Sequence, residues 1–250
     1  MPDGMATDMN TMPVQVYAAG SLREALTEVA RAQADGAVAL TFGAAGLLRE
    51  RIERGEPAQV FASADLRQPQ RLAEQGGWTA PVVFTRNRLC ALVAPSVRTS
   101  PAELLDTLLD PAVRVGTSTP LCDPSGDYAW TLFAQADAVR DGARAQLEAK
   151  ALQLTGAPES PKAPEGRSTY AWVMQQGRAD VFLTYRTNAI AAQGECPSLQ
   201  VVALPEALQV GAEYGVSCRE DAPPPARAWL SALLSAPVQR ILASHGFENP

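Results

Sequence analysis

The first third of the chain repeats one local pattern three times: a short apolar run that passes straight into a helix start. Residues 14–18, 38–42 and 60–62 read as strands. They are followed by Ser21-Leu22-Arg23-Glu24, by Gly43-Ala44-Ala45-Gly46, and by Ser63-Ala64-Asp65. Strands that alternate with helical patterns specify β-α-β units and a mainly parallel sheet. Ser21 with Glu24 fits a capping box, and Leu22, Leu26 and Val29 supply that helix's apolar face. The second helix, over 47–54, stops at Gly55, and the third ends at Gly76-Gly77. In this arrangement several helix N-termini gather on the C-terminal edge of one sheet, where open α/β sheets bind ligands.

The same pattern returns after Asn87. Residues 89–94 form an apolar strand, and 113–116 lead through Thr117 to Gly126 into a helix bearing Tyr128, Leu132 and Phe133. Residues 157–166 are a Pro-rich loop, 170–176 are helical and 181–185 are a strand. Residues 201–204 and 214–218 are late strands, and two short helices after Pro223-Pro224-Pro225 end at Gly246. The expected organisation is two α/β lobes, 14–86 plus 198–250 and 87–197, with a ligand cleft between them.

Charge and composition restrict the partners. The chain has 250 residues, 46% of them hydrophobic, and a net charge of -6, a balance that disfavours nucleic acid and anionic membranes. No run approaches the ~20 apolar residues of a membrane span. Residues 1–12 show no secretory signal pattern, which leaves a removed leader or a cytoplasmic location as alternatives. Cys90, Cys122, Cys196 and Cys218 form no C-x-x-C pair, so a structural zinc site is not expected. Buried thiols are the first reading and a Cys90–Cys218 disulfide the second. The single histidine, His245, sits in a terminal Ser-His-Gly-Phe turn, and no G-x-S-x-G, P-loop or G-x-G-x-x-G motif stands in context. A hydrolase is therefore not expected, nor any cofactor.

A series of segments carries a resemblance. Val16 to Leu22, Phe42 to Glu53, Gly55 to Asp65, Pro124 to Ala129, Ala179 to Tyr185 and Ile241 to Phe247 follow one another in the order and approximate spacing of the molybdate-binding proteins of ABC importers. The chain resembles that family across 14–247. The resemblance implies a two-lobed periplasmic-binding-protein fold of the second type, a monomer that captures molybdate or tungstate, a permease partner and a periplasmic location. It also implies an anion held by neutral donors, hydroxyls and helix-start amides, which is sound because helix N-termini present unpaired N–H groups and a positive dipole end.

By the resemblance the ligand contacts fall on Ser21, Ala45, Ser125, Arg167 and Tyr185. Ser21 matches a serine contact and could equally cap its helix. Ala45 stands where the family has a second serine, so a hydroxyl is lost and an amide kept. Ser125 matches a backbone contact at a loop-to-helix junction. Arg167 falls near a main-chain contact of the family and would shift selectivity, or else is a solvated surface arginine. Tyr185 matches a phenol donor at a strand end. Asp65, Asp123 and Asp127 would repel a dianion unless paired or capping helices, and a hard-cation site built from them is the lesser reading. Sulfate, phosphate, chromate or a small carboxylate, or a cytoplasmic oxyanion sensor, are the alternatives.

Overall fold

The computed structural model describes residues 12–33 and 38–250, so the signal-peptide reading of residues 1–12 lies almost wholly outside the described part. The chain forms two compact units. Unit 1 comprises 1–85, 213–242 and 250, and unit 2 comprises 86–212 and 243–249. The chain passes from the first to the second at Thr85/Arg86 and returns at Ala212/Glu213.

Unit 1 opens with β1 (Val14–Ala19), a 3-10 turn at Gly20–Leu22, α1 (Arg23–Ala32), β2 (Val38–Gly43), α2 (Ala45–Glu53), β3 (Val60–Ser63) and α3 (Arg67–Gln75), and leads into β4 (Val82–Val93). β1 pairs in parallel with β2 and with β3, and β3 pairs antiparallel with β9 (Gly211–Cys218). Because β1, β2 and β3 run in one direction, all three helix starts lie on the same sheet edge. Side chains alternate across a strand. Tyr17 and its register partner Phe61 therefore share one face, which packs against Leu48 and Ile52 of α2 and Leu72 of α3. α9 (Pro224–Leu233) and α10 (Ala236–Ser244) close the chain.

Tyr17 also anchors a polar clasp. Its hydroxyl donates to Glu56 Oε2 at 2.6 Å, and Arg51 donates to both carboxylate oxygens at 2.8 and 2.7 Å. The Arg51 hydrogen bonds first, then the one from Tyr17, hold the Glu56 carboxyl down at about 2. A carboxylate depressed in the folded state contributes stability that is complete above its unfolded value and is lost as pH falls toward the folded one. The melting temperature of the wild type should accordingly fall between about pH 4.5 and pH 2 by more than that of Glu56→Gln, as followed by circular dichroism. Parallel acid profiles for the two chains would contradict the assignment.

Unit 2 holds α4 (Leu104–Leu109), β5 (Val115–Ser118), α5 (Pro124–Val139), α6 (Ala143–Lys150), β6 (Leu152–Thr155), α7 (Thr169–Gln175), β7 (Val181–Tyr185), α8 (Arg186–Glu195) and β8 (Gln200–Ala203). Its sheet runs β8-β4-β7-β5-β6, with β4 antiparallel to both β7 and β8, and β5 parallel to β7 and β6. Alternation again divides the core. Leu89, Ala91 and Val93 of β4 pack with Leu132 and Phe133 of α5 and Leu147 of α6, while Cys90 and Leu92 pack with Val173 of α7 and Ala189 and Ala192 of α8.

Three expectations change here. Residues 198–212 belong to unit 2 rather than to the first lobe, because β8 pairs with β4 (Cys90 opposite Ala203), and 243–249 follow them. The capping box does not form. The chain makes a 3-10 turn at Gly20–Leu22 before α1, and no side chain caps either start. All four cysteines are free thiols, and Cys122 is exposed and Cys196 half-buried, so burial describes only Cys90 and Cys218.

Candidate functional site

Of the strand-to-helix junctions, the five after β1, β2, β3, β5 and β7 are those that concern the candidate contacts. Two carry a side-chain cap. Asp65 Oδ1 accepts the Gln68 N–H at the start of α3 (2.9 Å), and Asp123 Oδ1 accepts the Ser125 N–H at the start of α5 (2.8 Å). The turn at Gly20–Leu22, the start of α2 and the start of α8 carry none. The first-turn amides of a helix have no intrahelical acceptor, so these three junctions present N–H groups that a ligand can take.

In unit 1 the structure brings Ser21 and Ala45 to one edge. Ala19 of β1 pairs with Gly43 of β2, and a Cβ on Gly20 would lie 3.9 Å from the Gly43 carbonyl, so the two turns are neighbours. Ser21 is exposed, and its Oγ lies 3.0 Å from the hydroxyl of buried Tyr214. Tyr214 sits on β9 next to Gly215, the register partner of Ser63 at the C-terminal end of β3. The antiparallel direction of β9 is what delivers it to this edge. Sequence reasoning assigned Tyr214 only to a strand, since nothing local reveals the register of a returning strand.

In unit 2 Ser125 is fully buried and already engaged. Its N–H and its Oγ both lie 2.8 Å from Asp123 Oδ1, and Oγ also lies 2.9 Å from Ser118 Oγ, which lies 2.8 Å from Thr155 Oγ1. Tyr170 joins this group. Burial is the main cause pushing its phenol above the usual range, the Asp123 charge adds to the rise, and hydrogen bonds with Ser118, Thr184 and Ser125 act the other way. The α5 start is thus a hydroxyl network closed by a carboxylate. Asp127 has a role as well, accepting the Leu121 N–H at 2.8 Å. Among the described residues no group of three or more His, Cys, Asp or Glu is placed to hold a metal ion.

Gly126 makes this junction possible. A Cβ there would stand 2.7 Å from the Ser118 carbonyl oxygen and 2.7 Å from the Thr119 carbonyl carbon, both backbone atoms. Gly126→Ala should cost about 1–3 kcal/mol, the usual penalty of overpacking, seen as a lower midpoint in urea. An unchanged midpoint would show that the α5 start can shift freely.

Tyr185 ends β7 and precedes α8, with its ring edge-on to Tyr128 at 5.8 Å between centroids. Its phenol therefore accompanies an uncapped helix start. Arg167 is elsewhere. It is exposed and bonds to Glu195, the last residue of α8, and to Gln175, and Glu195 also accepts the Ser168 N–H at 2.7 Å. A ten-residue helix spans about 15 Å, so Arg167 lies at the opposite end of α8 from Tyr185 and is not brought to it.

Residues 14–248 match the model of the family described as bacterial extracellular solute-binding protein. The chain belongs to that family. An uncharacterized protein of Pasteurella multocida is 37% identical over 205 residues, covering 80% of this chain and 85% of its own. Among solved structures, the substrate-binding domain of a protein described as a molybdenum ABC transporter of Clostridium difficile superposes with a TM-score of 0.77 at 22% identity, over 95% of this chain and 99% of that one. The sulfate-binding protein SubI of Mycobacterium tuberculosis gives 0.62 at 20% identity, over 95% and 87%. These likenesses show the mixed α/β fold of solute-binding proteins. Among the described residues no helix of this family member is long and apolar enough to cross a membrane.

Proposed function

We propose that this solute-binding protein is the non-enzymatic capture component of an ABC importer, and that it delivers a tetrahedral oxyanion, molybdate or tungstate foremost, to a permease. The observation that carries this reading is the pair of uncapped junctions that unit 1 brings to one sheet edge, the turn bearing Ser21 and the start of α2 at Ala45; in unit 2 the start of α8 beside Tyr185 is of the same kind. Backbone amides and hydroxyls can replace the water shell of a compact dianion, and burying such an ion demands several donors at once. The likeness to the molybdenum transporter domain supports the choice of ligand.

Asp123 favours a second reading. Its carboxylate holds both donors of Ser125, and an acceptor at that place suits an oxyanion that keeps a proton, such as hydrogen phosphate. A thermal-shift panel of molybdate, tungstate, sulfate, phosphate, chromate and small carboxylates separates the two. A ligand at about 100 times its Kd stabilises by about 2.7 kcal/mol, or roughly 5 °C or more for a chain of this size. Molybdate and tungstate should give that shift. A response to phosphate alone would move the assignment to the second reading, and a flat response to every tetrahedral anion would remove both.

A further inference from the structure

Unit 2 contains a cavity of about 310 Å³ that is lined by none of Ser21, Ala45, Ser125, Arg167 and Tyr185. Its two walls follow from secondary structure. Arg186, Ile190 and Gln193 recur along α8 at intervals of four and three, which puts them on one helix face. Opposite them, Arg88 and Cys90 alternate along β4, and Val201 and Ala203 along β8, on one sheet face. Further along the same interface Leu92 meets Ala189 and Ala192 in closed packing. At Cys90 and its cross-strand partner Ala203 both side chains are small, and the space between helix and sheet stays open.

The polar groups define what fits. Arg88 Nε pairs with Glu248 Oε2 at 2.9 Å, which leaves the charge of Arg186 as the cavity's surplus. Arg186 gives one N–H to the Gly246 carbonyl at 3.2 Å, and a guanidinium carries five. Burial pushes the Cys90 thiol up to about 12, so it adds no negative charge. Gln209 donates its amide N–H to the Leu204 carbonyl at 2.6 Å, while its Oε1 is buried without a hydrogen-bond partner. A buried acceptor left without a donor costs about 1–3 kcal/mol, and a ligand hydroxyl would recover it. Ile190 and Val201 supply apolar surface.

We propose that this cavity is a second ligand site, for a small organic monocarboxylate that bears a hydroxyl and a short aliphatic body. The carboxylate pairs with Arg186, the hydroxyl donates to Gln209 Oε1, and the aliphatic part lies on Ile190 and Val201. A dianion is disfavoured because Glu248 stands in the wall. A cavity of this size lies within the range of small-molecule sites, at about 300–1,000 Å³.

The test uses the full chain and isothermal titration with 2-hydroxyisovalerate, isovalerate and isovaleramide as probes. Two variants are compared with the wild type: Arg186→Met, which removes the charge, and Ala203→Leu, which fills the space from an exposed strand. Saturable binding of 2-hydroxyisovalerate should exceed that of isovalerate by about fivefold, the value of one recovered hydrogen bond, and isovaleramide should not bind. Ala203→Leu should weaken it by about tenfold or more. Arg186→Met should do the same, and if that variant does not fold, Ala203→Leu alone decides. No saturable binding to the wild type, or binding that Ala203→Leu leaves unchanged, overturns the proposal. The outcome is independent of the oxyanion reading, which the molybdate titration of the same samples reports separately.

Discussion

An Asp123→Asn chain is expected to bind molybdate and tungstate at least about tenfold more tightly than the wild type, because the start of α5 then no longer carries a carboxylate. In the wild type both donors of Ser125 terminate on Asp123 Oδ1 at 2.8 Å, so the start of α5 offers a carboxylate where the resemblance implies a neutral donor. The repulsion between one unit charge and a dianion at 4 Å is about 2 kcal/mol even in bulk water, and larger in a partly desolvated place. Asparagine keeps the carbonyl acceptor and caps helices about as well as aspartate, so α5 should stay intact. Calorimetry on both chains reads the effect. Hydrogen phosphate, which can give its proton to the carboxylate, should gain much less. Equal affinity of the two chains for molybdate and tungstate would mean that the bound ion lies far from α5.

Ser21→Ala should lose about 1.5–3 kcal/mol of oxyanion affinity, roughly tenfold to a hundredfold, since a hydrogen bond to a charged group is removed. Folding stability should fall only by the worth of the Ser21–Tyr214 hydrogen bond, about 0.5–1.5 kcal/mol. A serine that capped α1 would cost about 1 kcal/mol on truncation, but the Ser21 hydroxyl faces Tyr214 at 3.0 Å and caps nothing. The pair of readouts distinguishes a ligand contact from a structural serine. Lost affinity supports the contact, whereas a lowered midpoint with affinity intact would make Ser21 a structural serine.

The parts of the fold that sequence made legible are those fixed by local chemistry. Each β-α junction of the first third is written as an apolar run followed by small or capping residues, and β1, β2 and β3 appear where that pattern places them. Asp123-Pro124-Ser125 likewise states its own geometry, an aspartate N-cap with proline in the first turn. What stayed hidden depends on partners distant in sequence. The late strand at 200–203 looks alike whichever unit takes it, and only its pairing with β4 assigns it to unit 2. The short strand β6 does not stand out in the sequence because its four residues follow α6 with only Ala151 between them and no turn residue to mark the change. Ser21 and Glu24 have capping-box spacing, yet the 3-10 turn that precedes α1 takes Ser21 out of capping position.

The candidate site divides along the same line. Ser21, Ala45 and Tyr185 stand at strand-to-helix junctions, which the pattern marks, and the lack of a side-chain cap at each appears only in three dimensions. Ser125 is legible as a residue of a loop-to-helix junction, but the consequence of Asp123 two residues earlier, that both Ser125 donors are already used, requires three-dimensional geometry. Arg167 follows a loop whose length obscures its alignment, and its partner Glu195 lies 28 positions away. Tyr214 reaches the edge beside Ser21 only through the register of β9.

The most direct test is a crystal grown with tungstate and measured across the tungsten absorption edge. The anomalous peak should lie where the ion's oxygens accept hydrogen bonds from the Ser21 hydroxyl and the first amides of α2, with no arginine or lysine in contact. A peak held by basic side chains elsewhere, or none at saturating tungstate, would contradict an anion bound by neutral helix-start donors.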